Sequence, residues 1–288
     1  VTDVRFLKIT LPLVAIPALI ILFLPAHVWP RYVDVVEPLS LFTGALLALY
    51  VSFMYRKQLR VAFVCLSTFL FIYVLAIVFL LSFSPVLVPV LERRMTQAEI
   101  FSLVQSIQFV NYAMLFLFCI YLLRVVDVTQ LNRTGWLLFA LTCIFSIAVA
   151  AYPVFESLRG VSRLDLPLLS RLVMRLFDAA LIIILMPVVW LYVQYLKSQR
   201  QQSLTFTVIV FGIVFSTIFD YLFEFILAVF PQSLPSGSVL NDTIPEILFV
   251  YGYAMIAVGL YGHRKQDEWG YKAIERAMTG ESELADVE

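Results

Sequence analysis

Arg171, Arg175 and Asp178 fall four and three residues apart in one apolar stretch of the chain, and Asp220 and Glu224 fall four apart in the next. At those spacings each set lies along one face of a helix. Glu246 stands near the start of a further apolar stretch, and Gln105, Gln108 and Asn111 recur every three residues in an earlier one, drawing a slowly rotating polar stripe. Groups of these types can hold a cation, share a proton or clamp a zwitterion. Four carboxylates, on Asp178, Asp220, Glu224 and Glu246, face two guanidinium groups, on Arg171 and Arg175, so the fully ionised set is negative by two. A bound cation would relieve that excess, as would carboxylates kept protonated by burial and by one another. Asp220 and Glu224, one turn apart, are the pair expected to share a proton. A small amine or zwitterionic amphiphile fits equally, with Arg175 on an acid group and Glu224 or Glu246 on an amine.

The elements that must position these groups are set by composition. The 288 residues are 62% hydrophobic and 14% charged, with a mean hydropathy of +0.94. A soluble domain of that length has too little interior for so much apolar surface, so an all-α integral membrane protein is expected. Eight apolar segments are long enough to span, near residues 6–25, 39–55, 61–83, 100–123, 135–155, 168–197, 204–230 and 243–262. Arg5 and Lys8 precede the first as they would in a signal peptide, but no small-residue cleavage site follows, so a retained span is expected, with Trp29 at its outer interface. Charge exposed to lipid near the bilayer centre costs about 2.5–3.5 kcal/mol. The ionisable groups are therefore expected to face one another or a wet cavity.

Orientation follows from Lys and Arg. Alternate links carry Arg5 and Lys8; Arg56, Lys57 and Arg60; Arg124 and Arg133; Lys197 and Arg200; and Arg264, Lys265, Lys272 and Arg276. The opposite links carry Arg31, Arg93, Arg94, Arg159 and Arg163. Basic short links stay cytoplasmic, which predicts a bundle of eight transmembrane helices in four hairpins, multi-pass in the cell membrane, with both termini cytoplasmic. The transmembrane domain is expected over 1–262. A cytoplasmic tail, 263–288, is expected to hold a short amphipathic stretch from Trp269 to Met278 and then a disordered acidic end.

With each segment centred in the bilayer, Gln105, Arg175, Glu224 and Glu246 come about 10 Å to the outer side of the centre at 1.5 Å per residue, with Gln108, Asp178 and Asp220 about 4 Å deeper. Asn111 comes near the midplane, and Arg171 near the outer interface, where its long side chain could snorkel. Phe109, Phe177, Tyr251 and Tyr253 share the outer-half depth, and an aromatic wall with a few converging charges suits an amine or amphiphile. The plainer alternative is a packing network in which Arg175 pairs with Glu224 or Asp178 and the charges fix how helices meet.

Several chemistries are set aside. Equal numbers of basic and acidic residues, 20 each, give no argument for nucleic acid. His27 and His263 lie at opposite membrane faces, leaving no histidine pair for a metal or haem, and no cofactor is expected. Cys65, Cys119 and Cys143 sit at unlike depths in apolar stretches and read as small core residues. Membrane Ser and Thr, such as Thr68, Ser146, Ser216 and Thr217, lack a neighbouring base and are expected to bond back to helix carbonyls. Tyr50, Phe53 and Tyr55 read as an interfacial belt. No enzyme signature is present.

The closing stretch runs Ile218, Phe219, Asp220, Tyr221, Leu222, Phe223, then Pro235 to Asp242, then the apolar Gly-Tyr run from Ile247 to Tyr261. It resembles the last hairpin of the multi-spanning input modules of prokaryotic signalling proteins, which precede histidine kinase or diguanylate cyclase domains. On that resemblance Asp220, Asp242 and Tyr253 occupy the recurrent positions. It implies a sensory, receptor-like module whose output lies on a cytoplasmic signalling partner or a longer parent chain. Two alternatives stand beside it: a structural or assembly subunit of a larger membrane complex, and a secondary transporter. The last would need a polar path to the cytoplasmic side, yet Ala180 to Tyr195 and Phe206 to Phe215 are almost wholly apolar.

Overall fold

Long apolar stretches leave the backbone one way to satisfy every N–H and C=O inside hydrocarbon without a sheet edge, and that is the helix. The computed structural model describes residues 12, 14–25, 28–92, 96–126, 128–159, 166–197, 208–216 and 239–265, with the backbone alone at 29, 77–92, 97–104, 153–154, 156–159, 166–168, 170–171, 192, 195–197, 239–245 and 264–265. These residues are helical with short links, and no strand occurs among them. The helices are α1 (Val14–Phe23), α2 (Trp29–Met54), α3 (Lys57–Glu92), α4 (Gln97–Val125), α5 (Arg133–Arg159), α6 (Leu166–Lys197), α7 (208–216) and α8 (Val239–Lys265). Five carry windows long and apolar enough to cross a membrane: Pro30–Met54, Lys57–Ala76, Gln105–Val125, Arg133–Tyr152 and Leu172–Leu191. This is the make-up of a multi-pass membrane protein.

Two boundaries differ from expectation, and both turn on proline. Pro38 marks the predicted start of the second span, yet it lies inside α2, which begins at Trp29 with Pro30 in its first turn. Proline suits that first position because no intrahelical N–H is needed there; at Pro38 one bond is lost, and the helix continues past it. Helix α3 likewise runs to Glu92, through Pro85 and Pro89, where an outer link is predicted from Ser84. The apolar run Val86, Leu87, Val88, Val90 and Leu91 outweighs the two missing donors.

Helix α2 packs between α3 and α8, α3 against α4, and α4 against α6, with α5 resting on α6. Leu41, Ala45, Ala48 and Val51 form the buried stripe of α2 against Ala62, Phe63, Leu66 and Leu70 of α3. The alanines let the two backbones approach, as small residues do between membrane helices. At that approach Ser67 Oγ donates to the Ala45 carbonyl at 2.9 Å, across the helix pair. Thr68 and Ser216 instead bond back within their own helices, to the carbonyls of Val64 at 2.9 Å and Ile213 at 3.0 Å. Thr217 lies outside the described residues. Cys65 and Cys119 are buried in the core, as expected of small apolar residues.

At the other end of α4, Gln194 of α6 grips the link to α5. Its Oε1 accepts from the Asn132 N–H at 3.0 Å, and its Nε2 donates to the Gln130 carbonyl at 3.1 Å. Asn132 in turn caps α5, its Oδ1 accepting from the Gly135 N–H at 2.7 Å. A side-chain oxygen there satisfies one of the donors that a helix start leaves open.

Candidate functional site

The candidate acidic groups that the structure describes, Asp178 and Glu246, fall on two helix pairs. On α6, Arg175 Nη1 reaches Asp178 Oδ2 at 3.5 Å, one turn apart on the face predicted from their spacing. From α4, the Tyr112 hydroxyl donates to Asp178 Oδ1 at 2.5 Å. Asp178 is 3% exposed, so its carboxylate is compensated from both sides: by the cation on its own helix and by a phenol across the interface. A buried carboxylate needs this, since burying an isolated charge is far costlier than burying a bonded one.

Beside that pair the Phe177 ring is the hub of an aromatic cluster. Phe109, Tyr112 and Phe116 of α4 surround it at centroid distances of 5.8, 5.7 and 5.5 Å. Two of the three contacts are edge-to-face, the arrangement in which the positive edge of one ring meets the negative face of another. Phe109 and Phe177, both among the aromatics singled out from the sequence, thus pack on each other between α4 and α6.

The polar stripe of α4 divides. A three-residue step turns a helix about 300°, so the stripe drifts about 60° per step and cannot keep one face. Gln108 is exposed, Gln105 half-buried, and Asn111 turned into the core at 7% exposure. Asn111 Oδ1 is buried and has no hydrogen-bond partner among the described residues. It shares its buried face with Leu115, Phe118 and Leu122, while Tyr112, the next residue, points to Asp178.

Glu246 of α8 is half-buried and belongs to the second group. It lies near enough to Glu37 and Asp34 of α2 for the three carboxylates to feel one another's charge. Tyr253, two turns further along α8, is buried against Tyr73 of α3 and Phe249, with centroids 5.6 and 6.2 Å away. Arg171 lies on α6 one turn from Arg175. Asp220 and Glu224 lie outside the described residues, as does the tail beyond Lys265 with its predicted amphipathic stretch.

Four participants are absent from the expectation drawn from sequence. Tyr112 adjoins Asn111, and its hydroxyl at the depth of Asp178 is the signal that could have found it. Asp34 and Glu37 precede residue 39, where the second span is expected to begin, so both fell outside it. His263 is the fourth. It is 1% exposed and lies parallel to the rings of Tyr55 and Phe63, at 5.3 and 5.7 Å, with the Tyr55 hydroxyl hydrogen-bonded to its Nε2. Tyr55 accordingly is not an interfacial belt residue: it turns inward, while Tyr50 and Phe53 stay exposed.

The stack ties the end of α8 to α2 and α3. His263→Phe keeps an aromatic ring and removes the hydrogen bond, so a loss of about 1 kcal/mol is expected. His263→Ala removes the stack as well, and its thermal midpoint should fall clearly below that of His263→Phe. Equal midpoints for the two variants would show that the rings contribute nothing.

Toward the C-terminal half of α6 the buried packing is apolar. Leu181, Ile182, Leu185, Val188 and Leu191 of α6 are buried together with Ile209, Val210 and Ile213 of α7. Among the described residues no group of three or more His, Cys, Asp or Glu side chains could hold a metal ion. In comparison with known proteins, no family model, curated protein or solved structure matches the chain.

Proposed function

We propose that this chain is a sensory, receptor-like membrane module. In this reading eight membrane-spanning helices form four hairpins with both termini cytoplasmic. An outer-half pocket, polar and aromatic, takes a small amphiphile, an amine, a cation or a proton, and α8 relays its occupancy to a cytoplasmic partner. The observation that carries the reading is the meeting of Asp178, Arg175 and Tyr112 from two helices beside the Phe177 ring cluster. Intramembrane ionisable groups that are held together and shielded from lipid mark functional sites by default. The His263 stack supports the relay, since it joins the last helix to the α2–α3 pair immediately before the tail.

The test is thermal unfolding of the purified protein with spermidine, choline, sodium, potassium and calcium as probes, and with pH as the probe for protons. Wild type is expected to rise in midpoint with at least one probe or to change with pH, and Glu224→Gln to lose that response. A flat wild-type response throughout counts against the reading.

A structural subunit is the second reading, and one observation favours it: Arg175, Asp178 and Tyr112 already compensate one another. It requires co-purification at fixed stoichiometry with other membrane subunits. A transporter requires a polar route inward, against which stands the buried apolar block of α6 and α7. Flux in proteoliposomes that disappears in Asp220→Asn would reverse that preference.

A further inference from the structure

Helices α2 and α3 are joined by Tyr55 and Arg56 alone. So short a reversal puts Lys57 at a φ of 51°, the left-handed region that a side chain with a Cβ rarely adopts. Tyr55 fills the inside of the turn, under Phe63 and His263, so the turn is held from beneath. Arg56, Lys57 and Arg60 are left exposed at one corner. The first turn of α3 supplies no acidic residue, and none of the three cations forms an ion pair among the described residues.

The corner is not simply charged. Arg60 places its guanidinium 5.8 Å from the centre of the Phe53 ring; Phe53 is 67% exposed and Tyr50, one turn deeper, 49%. The Arg60 cation thus sits over an exposed aromatic ring, with Arg56 and Lys57 beside it in the chain, at the shared end of two helices each able to cross a membrane. The pattern repeats on α4, where Arg124 lies 5.5 Å from the Tyr121 ring centre. Phe63 and Phe118, packed 6.4 Å apart, bring the two ends together. Arg60 is one turn from Phe63 and Arg124 two turns from Phe118, a difference in level of about 5 Å.

We propose that this corner, Arg56, Lys57 and Arg60 above Phe53, is a docking site for the headgroup of an anionic phospholipid. A free anion would meet the charges and leave Phe53 and Tyr50 in water. A zwitterionic lipid would cover the rings but bring its own cation to the arginines. An anionic phospholipid satisfies both layers: phosphate on the guanidinium fork and acyl chain on the rings. The inference does not rest on the receptor reading, because it needs only that α2 and α3 end at a membrane surface.

The experiment is native mass spectrometry of the purified full chain, with phosphatidylglycerol and phosphatidylcholine offered in equal amounts. Phosphatidylglycerol is expected to be retained at least about tenfold better, and Arg56→Gln/Lys57→Gln/Arg60→Gln to lose at least about tenfold of that retention, given about a factor of five per cation. Phe53→Ala keeps every charge and is expected to lower retention about threefold, as loss of ring burial does. Should the triple variant fail to fold, Phe53→Ala and Arg60→Gln alone carry the same readout. Equal retention of the two lipids, or unchanged retention in folded variants, overturns the proposal. So does full displacement of phosphatidylglycerol by millimolar inorganic phosphate, which would make the corner a free-anion site.

Discussion

Asp178→Leu is expected to destabilise the protein by about 3 kcal/mol, the low end of the range for removing one partner of a buried ion pair. The low end applies because the Arg175 side chain keeps 14% of its surface exposed and can turn partly toward polar surroundings. The Tyr112 hydroxyl loses its acceptor at the same stroke, since it donates to Asp178 at 2.5 Å. Removing both charges is different. In Arg175→Met/Asp178→Leu the cation leaves together with its carboxylate, and replacing a whole buried pair by apolar groups is often neutral or stabilising. The double variant is therefore expected to recover most of the loss, read as the midpoint of unfolding in mixed micelles. That recovery would say nothing for or against a site by itself. It makes a stable protein without the charges, in which a probe response seen in wild type must vanish if the pair is part of a pocket and persist if it only fixes packing. A double variant as unstable as the single one would show that the two side chains do not act as a pair.

What was legible in the sequence is what depends on helix periodicity and hydropathy. The all-helical architecture follows from composition, and the Arg175–Asp178 pairing from a three-residue spacing that any helix must honour. The partner of Asp178 from α4 was less visible. A tyrosine in an apolar stretch scores as an aromatic, and only the rotation of α4 relative to α6 decides whether its hydroxyl meets lipid or a carboxylate. The same limit hid His263, a lone histidine at a helix end whose burial is a property of three helices at once. The start of the second span was placed too late. Pro38 breaks one hydrogen bond, a local cost that α2 absorbs because the residues on both sides pack against α3 and α8. Excluding Trp29 to Glu37 from the span removed Asp34 and Glu37 from the count of charges, and these are the groups that Glu246 meets. The grouping of Glu246 with acidic neighbours therefore could not be read from helices six to eight alone.

Glycine substitutions at the crossing of α7 and α8 should show the sharpest local sensitivity. A Cβ built on Gly212 would lie 2.6 Å from the Gly252 carbonyl oxygen and 2.9 Å from the Ile256 nitrogen, and one on Gly252 would lie 2.9 Å from the Gly212 oxygen. These neighbours are backbone, which cannot swing aside as a side chain can, so the helices must separate. Gly212→Ala and Gly252→Ala are each expected to cost about 1–3 kcal/mol, the usual range for overpacking, and Gly212→Leu more. Gly44 of α2 supplies the contrast. A Cβ there would meet the tip of Leu70 at 3.3 Å and Ala257 at an ordinary 3.9 Å, while alanine in a helix interior is favoured over glycine by about 0.5–1 kcal/mol. Gly44→Ala should thus be neutral or stabilising, so the same chemical change carries opposite signs at two helical sites. Thermal unfolding of the three alanine variants checks the signs directly. Because Gly252 lies on the helix that carries Glu246 at one end and His263 at the other, separation at the crossing should also loosen the His263 stack. Combining Gly252→Ala with His263→Ala is then expected to cost less than the sum of the two. Simple additivity would show that the crossing and the stack are independent, and that α8 does not act as one rigid unit between Glu246 and His263.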